Sequence, residues 1–164
     1  MIRKVCVASA TLVMIGACAS GAGKARSGDV PATVDLASSE SGAKGLQPIG
    51  AAQLPAKECG MMLWTLEGNR PAAVFQYVAG KNARINIAGK PVELTRTEFD
   101  GASGFGVFER QVFTSGDGVR VEVSSRFGLS FNGGAYLEQG LIKVSDQAGW
   151  SLVSPTAGIA GCRN

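Results

Sequence analysis

Three carboxylates and one serine are the residues best placed to do chemistry. Glu98 and Asp100 stand two apart, so on an extended strand they point the same way, and Glu109 lies shortly after them. Two carboxylates flanking a glycosidic bond about 5 to 9 Å apart can hydrolyse it. Arg96 and Arg110 lie close by, however, and acids at a strand end are ordinarily solvated or matched by such cations. Ser103, in Gly101-Ala102-Ser103-Gly104-Phe105, partly fits a nucleophile elbow, but Phe105 stands where the second glycine belongs. The chain has no histidine. That removes the Ser-His-Asp and Cys-His pairs, a histidine general base, histidine-bearing zinc sites and histidine-held haem. Ser41 and Lys44 have the spacing of a lysine-activated serine, but their neighbours offer nothing to pack a site. No Gly-Lys pair makes a phosphate loop; for Gly80-Lys81 and Gly89-Lys90, Phe75 and Arg84 stand where the first glycine is required. The chain reads as non-catalytic, with no cofactor and no metal.

Cysteine carries the remaining chemistry, at positions 6, 18, 59 and 162. Met1 to Lys4 is a short positive head, and Val5 to Ala17 is uncharged and mostly apolar. Such a run is too short to cross a bilayer as a helix, which takes about 20 residues, and it has the layout of a bacterial secretory signal. It ends Ile15-Gly16-Ala17-Cys18, which resembles a bacterial lipobox. The resemblance implies cleavage before Cys18, a diacylglyceryl thioether on its sulfur and an acylated amino terminus. Several acyl chains anchor almost irreversibly, at about 0.8 kcal/mol per buried CH₂. Ala19 and Ser20 come next, without the Asp that often retains such proteins in the inner membrane, so the resemblance points to the outer membrane, facing the periplasm. Ordinary cleavage within Ala17-Cys18-Ala19 is the competing reading. With Cys6 removed and Cys18 lipidated, Cys59 and Cys162 remain in an oxidising compartment, and they bracket the folded domain at its two ends. They are expected to form a disulfide. Two thiolates without histidine or a neighbouring cysteine make a poor metal site.

The elements that would position these residues divide the chain into a leader (1–17), a tether (18–57) and a domain (58–164). The tether has no aromatic residue and is built of Gly, Ala, Ser, Pro and scattered charges, so it cannot offset its ordering entropy. A flexible segment of that length spans on the order of 35 Å. All aromatic residues lie between Trp64 and Trp150, which places the core there. The domain's acids and bases balance and are interspersed, which excludes a nucleic-acid partner. Val119, Val121 and Val123 alternate with Arg120, Glu122 and Ser124, and Ile85, Ile87, Val92 and Leu94 alternate likewise. Turn residues separate these runs. Strands are expected near 61–66, 72–78, 83–88, 91–99, 105–113, 118–127, 136–144 and 149–153. Eight meandering strands make an all-β fold, a small antiparallel barrel or sandwich. The fifth breaks parity, which calls for a bulge near Glu109 or cover on both faces. Phe127, Phe131 and Tyr136 surround a Gly-rich corner and are expected to plug a barrel end rather than to form a contact site.

The overall plan is similar to that of small bacterial lipoproteins with a lipobox, a low-complexity tether and a compact all-β domain tied by one disulfide. Among them, Ala102-Ser103-Gly104-Phe105-Gly106 resembles the Ser-Gly loop of the membrane-bound inhibitors of c-type lysozyme. That resemblance implies an antiparallel barrel with Ser103 and Gly104 in an inhibitory loop. Lipid-anchored envelope protease inhibitors share the architecture. The leading expectation is a lipid-anchored envelope module that binds or assembles with a protein partner and attaches to the membrane through Cys18. An inhibitor of lysozyme or of an envelope protease is the alternative. A small-ligand carrier or hydrolase is the third reading.

Overall fold

In a computed structural model, residues 45–65 and 71–164 are described. The leader, Cys18, Ser41 and Lys44 lie outside them. Eight strands run in chain order: β1 (Cys59–Thr65), β2 (Ala72–Val78), β3 (Ala83–Ile87), β4 (Lys90–Gly104), β5 (Val107–Thr114), β6 (Arg120–Phe131), β7 (Gly134–Ser145) and β8 (Ser151–Cys162). Each pairs antiparallel with the next, and β8 pairs back onto β1, so the sheet is a closed barrel and not a sandwich. Its lower end carries Cys59, Cys162 and the turns after β2, β4 and β6. The upper end carries the turns after β3, β5 and β7.

Alternation builds the wall. On β6, Val121 and Val123 are buried while Arg120 and Glu122 stay partly exposed, as a half-buried antiparallel strand requires. Phe75, Tyr77 and Phe113 fill the barrel, with Phe113 edge-on to both other rings at 5.2 Å. The expected irregularity near Glu109 sits across the ladder, in β4. Register slips there between Arg96 and Glu98 and again between Asp100 and Ser103. β5 also has cover on both faces, since Gln111, Val112 and Phe113 are consecutively buried.

Two strands run well past their expected ends, β4 to Gly104 and β8 to Cys162. The second half of β8 is Gly- and Ala-rich, with weak strand propensity. Close approach requires it: a Cβ on Gly158 would lie 2.2 Å from the Met62 carbonyl oxygen, and one on Gly60 would lie 2.0 Å from that of Tyr77. At the lower end of the β1–β8 seam Cys59 faces Cys162, and the two are joined as a disulfide, with Cα atoms 3.9 Å apart. The Cys59 carbonyl accepts from Ala79 and the Cys162 amide donates to Gly133. The backbone groups therefore point away from each other, as in a non-hydrogen-bonded pair, the closer of the two antiparallel geometries.

Residues 45–57, placed in the tether by composition, lie down the outside of β3, β2 and β1 as a strap. Gly45 accepts from Ala88, Gln47 donates to Asn86 and Ile49 donates to Ala73. Gln76 Nε2 donates to the Gln53 carbonyl at 2.8 Å, and Arg84 Nη2 to that of Ala51 at 3.1 Å. Leu54 is buried at the strap's lower end, where Arg163 Nη1 donates to its carbonyl. The strap explains why Gln76 is buried although it alternates with the inward Phe75 and Tyr77, whereas Val74, the extra residue of a bulge in β2, joins the core itself.

Candidate functional site

The carboxylates do not form a shared site; each has its own structural partner. Glu98 pairs with Arg120 at 3.0 Å across the outer surface, and Arg110 pairs with Glu122 at 2.8 Å. The Arg120 hydrogen bond holds the Glu98 carboxyl below the ordinary glutamate range and raises Arg120 in turn. Asp100 Oδ1 accepts from the Gly101 amide. Glu109 Oε1 accepts from the Phe127 amide at 3.3 Å, bridging the gap where β5 stops pairing with β6. Among the described residues no three acids or cysteines cluster as a metal site would need.

Arg96 is not an acid's partner. Its guanidinium lies 4.8 to 5.2 Å from the ring centres of Phe99, Tyr77 and Phe108. Nη1 donates to Gln111 Oε1 and to the Gly106 carbonyl, both at 2.9 Å. Arg96 therefore ties the β4–β5 turn to the barrel floor. Phe105 and Gly106 make that turn with φ of 58° and 75°. A Cβ on Gly106 would lie 2.4 Å from the Ala79 side chain, so only glycine lets the turn fold against its neighbour. Ser103 is exposed opposite Phe108, and Gly104 is half-buried against the Phe127 ring.

The three rings at the Gly-rich corner divide. Phe127 packs against the core, as a plug should. Phe131 and Tyr136 do not plug the barrel. They face outward across the β6–β7 hairpin, stacked at 5.2 Å and 41% and 51% exposed, with Leu129 beside them at 77%. The physical reason is parity: Tyr136 alternates with the inward Ala135 and Leu137.

Tyr136 stands beside β8, whose outer row carries no charge. On β8 the inward positions Ser154, Thr156, Gly158 and Ala160 are buried, which leaves Val153, Pro155, Ala157, Ile159 and Gly161 pointing out. Met62 and Trp64 of β1 lie beside Ile159 and Ala157, and Tyr136 of β7 lies on the other side of Ile159. The stripe from Val153 to Gly161 is about 30 Å long, but β1 flanks only its lower half and the exposed Lys143 of β7 stands beside Val153 at its upper end, so the uncharged area is on the order of 300 Å². That is the scale at which exposed apolar area marks a contact site. At its lower end a hollow of about 330 Å³ opens over Met62, Ile159 and Gly161, walled by Leu54 and Phe131 and edged by Arg163. The opposite wall, β4 to β6, instead carries the lattice of Glu98, Arg120, Arg110 and Glu122.

Sequence reasoning missed Met62, Leu129 and Ile159. The available signal was the lack of any charge at alternate positions from Val153 to Gly161, against Arg120, Glu122 and Arg126 in β6. No protein family, curated protein or solved structure matches the chain.

Proposed function

We propose that the protein is a lipid-anchored, non-catalytic binding module of the cell envelope. On this reading Cys18 holds it to the outer membrane and the apolar face of β7, β8 and β1 docks a protein partner. The observation that carries the reading is the contrast between the two walls. One wall pairs its charges, while β8 presents Val153, Pro155, Ala157 and Ile159 without a single charge, flanked by Tyr136 of β7 and by Met62 and Trp64 of β1. A filled interior supports docking over carriage of a small molecule, since Phe75, Tyr77 and Phe113 occupy the barrel. Closure also leaves no strand edge for a partner to pair with, so recognition falls to side chains.

The test is site-specific photo-cross-linking in the native envelope. A photoreactive side chain in place of Tyr136 should capture one dominant protein, and one in place of Glu122 should capture none. Equal capture from both walls, or none from Tyr136, overturns the reading. The activity of the captured protein, with and without the module bound, separates an assembly role from inhibition of a lysozyme or protease.

A further inference from the structure

We infer that the apolar face receives the carboxyl-terminal segment of a partner polypeptide, with its last side chain in the hollow and its carboxylate on Arg163. This rests on the docking reading and names the chemistry of the occupant.

Size is the first argument. A standard protein–protein interface takes about 800 Å² from each partner. The uncharged face offers less than half of that, which suits a segment rather than a domain. Its lower half, beside the hollow, is three strands wide, broader than one acyl chain needs.

Charge gives the polarity. β8 itself is uncharged from Val153 to Gly161, Lys143 of β7 stands beside Val153 at its upper end, and only at the lower end does an apolar hollow meet a cation, the exposed Arg163. Arg163 spends Nη1 on the Leu54 carbonyl, and among the described residues it has no carboxylate partner. A guanidinium carries five N–H donors in a fork that fits a carboxylate, so donors remain after that one bond. Lys57, whose amide donates to the Arg163 carbonyl, likewise has no ion pair among the described residues and adds positive charge at the same end. An apolar chain that terminates in a carboxylate matches this order of features: uncharged length, apolar hollow, cation.

The hollow is itself built for entry. Met62 and Ile159 are cross-strand partners and form its floor. Beside them the backbone of Gly133 closes over Gly161, where a Cβ would lie 2.6 Å from its carbonyl oxygen, and so walls the hollow at that end. A volume near 330 Å³ accepts one large apolar side chain with the backbone that carries it.

The experiment uses the full chain carrying Cys18→Ser with its disulfide formed. The probe is a fluorescein-labelled ten-residue peptide that alternates Val and Thr and ends in Phe, as the free acid and as the carboxamide. Anisotropy should show the acid binding about tenfold more tightly, the scale of one charge-assisted contact. Arg163→Gln should bring the acid down to the amide's affinity and leave the amide unchanged, while Arg163→Lys should retain part of the preference. Ile159→Glu, in the hollow floor, should abolish binding of both. Equal affinity for acid and amide overturns the inference, as does stronger binding of oleate than of the peptide. If the peptide fails while Tyr136 still captures a partner, the chain-end inference falls and the docking reading stands. If both fail, both fall.

Discussion

Removing the disulfide is the perturbation whose size can be worked most directly from the structure. Cys59 and Cys162 are 103 residues apart in sequence, so the bond closes nearly the whole domain into one loop. In the chain-entropy model, a loop of about 100 residues deprives the unfolded ensemble of roughly 4.7 kcal/mol at 25 °C. The folded side loses little when both residues become alanine. The β1–β8 seam keeps its ladder from Gly60 to Thr65, and the pair sits at the exposed lower end. The double variant should therefore lose about 3–5 kcal/mol, much of a stability that for most domains is only about 5–15 kcal/mol. With a urea slope of about 1.5 kcal/mol/M, the midpoint should fall by about 2–3 M. Equilibrium urea unfolding followed by near-ultraviolet circular dichroism measures it. A fall under about 0.5 M would refute the reasoning, and would mean that the reduced unfolded chain already keeps its ends together.

Gly60→Ala should cost about 2–4 kcal/mol, since the new methyl would press on the Tyr77 backbone oxygen; Gly116→Ala, with open space around it, should stay within about 0.5 kcal/mol, and thermal melts of the pair compare them. Thr156 is 1% exposed and its hydroxyl has no partner among the described residues, so Thr156→Val should stabilise by about 1 kcal/mol in urea unfolding, whereas a loss would reveal a hidden partner for that oxygen. The Glu98 carboxyl is depressed by Arg120, so its contribution is present above the unfolded glutamate range and is lost as pH falls through the lower folded value. Carboxyl NMR titration should show Glu98 ionising below an ordinary glutamate and returning to the usual range in Arg120→Gln. No return would place the cause elsewhere.

Strands that separate a wet face from a dry one were legible in the sequence. β6 announces itself because Arg120 and Glu122 mark the outside between Val121 and Val123. β8 hides its second half because its outer residues are as apolar as its inner ones, so no alternation is left to read. The same loss of contrast concealed the proposed docking face, which exists only once β8 is known to lie between β7 and β1. The disulfide was legible because two cysteines bracket the core. The strap was not, because backbone hydrogen bonds from Gly45, Gln47 and Ile49 hold it, and composition does not register them. Arg96 was legible only as a charge near Glu98. Its place against three rings depends on the bulges that bend β4.

The strap and the disulfide together lay out a route for mechanical load. Tension entering from the N-terminal side reaches Gly45 first. It would peel the strap in steps, releasing Ala88, then Asn86, then Ala73, and would expose Gln76 while the barrel stayed shut. At Cys59 the pull meets a covalent link into β8, the strand that presents the apolar stripe. On the proposed reading of a lipid anchor and a docked partner, force between the two would pass through sulfur rather than through the hydrogen-bonded wall. The domain would act under tension as a short extensible leash ending in a fixed clasp.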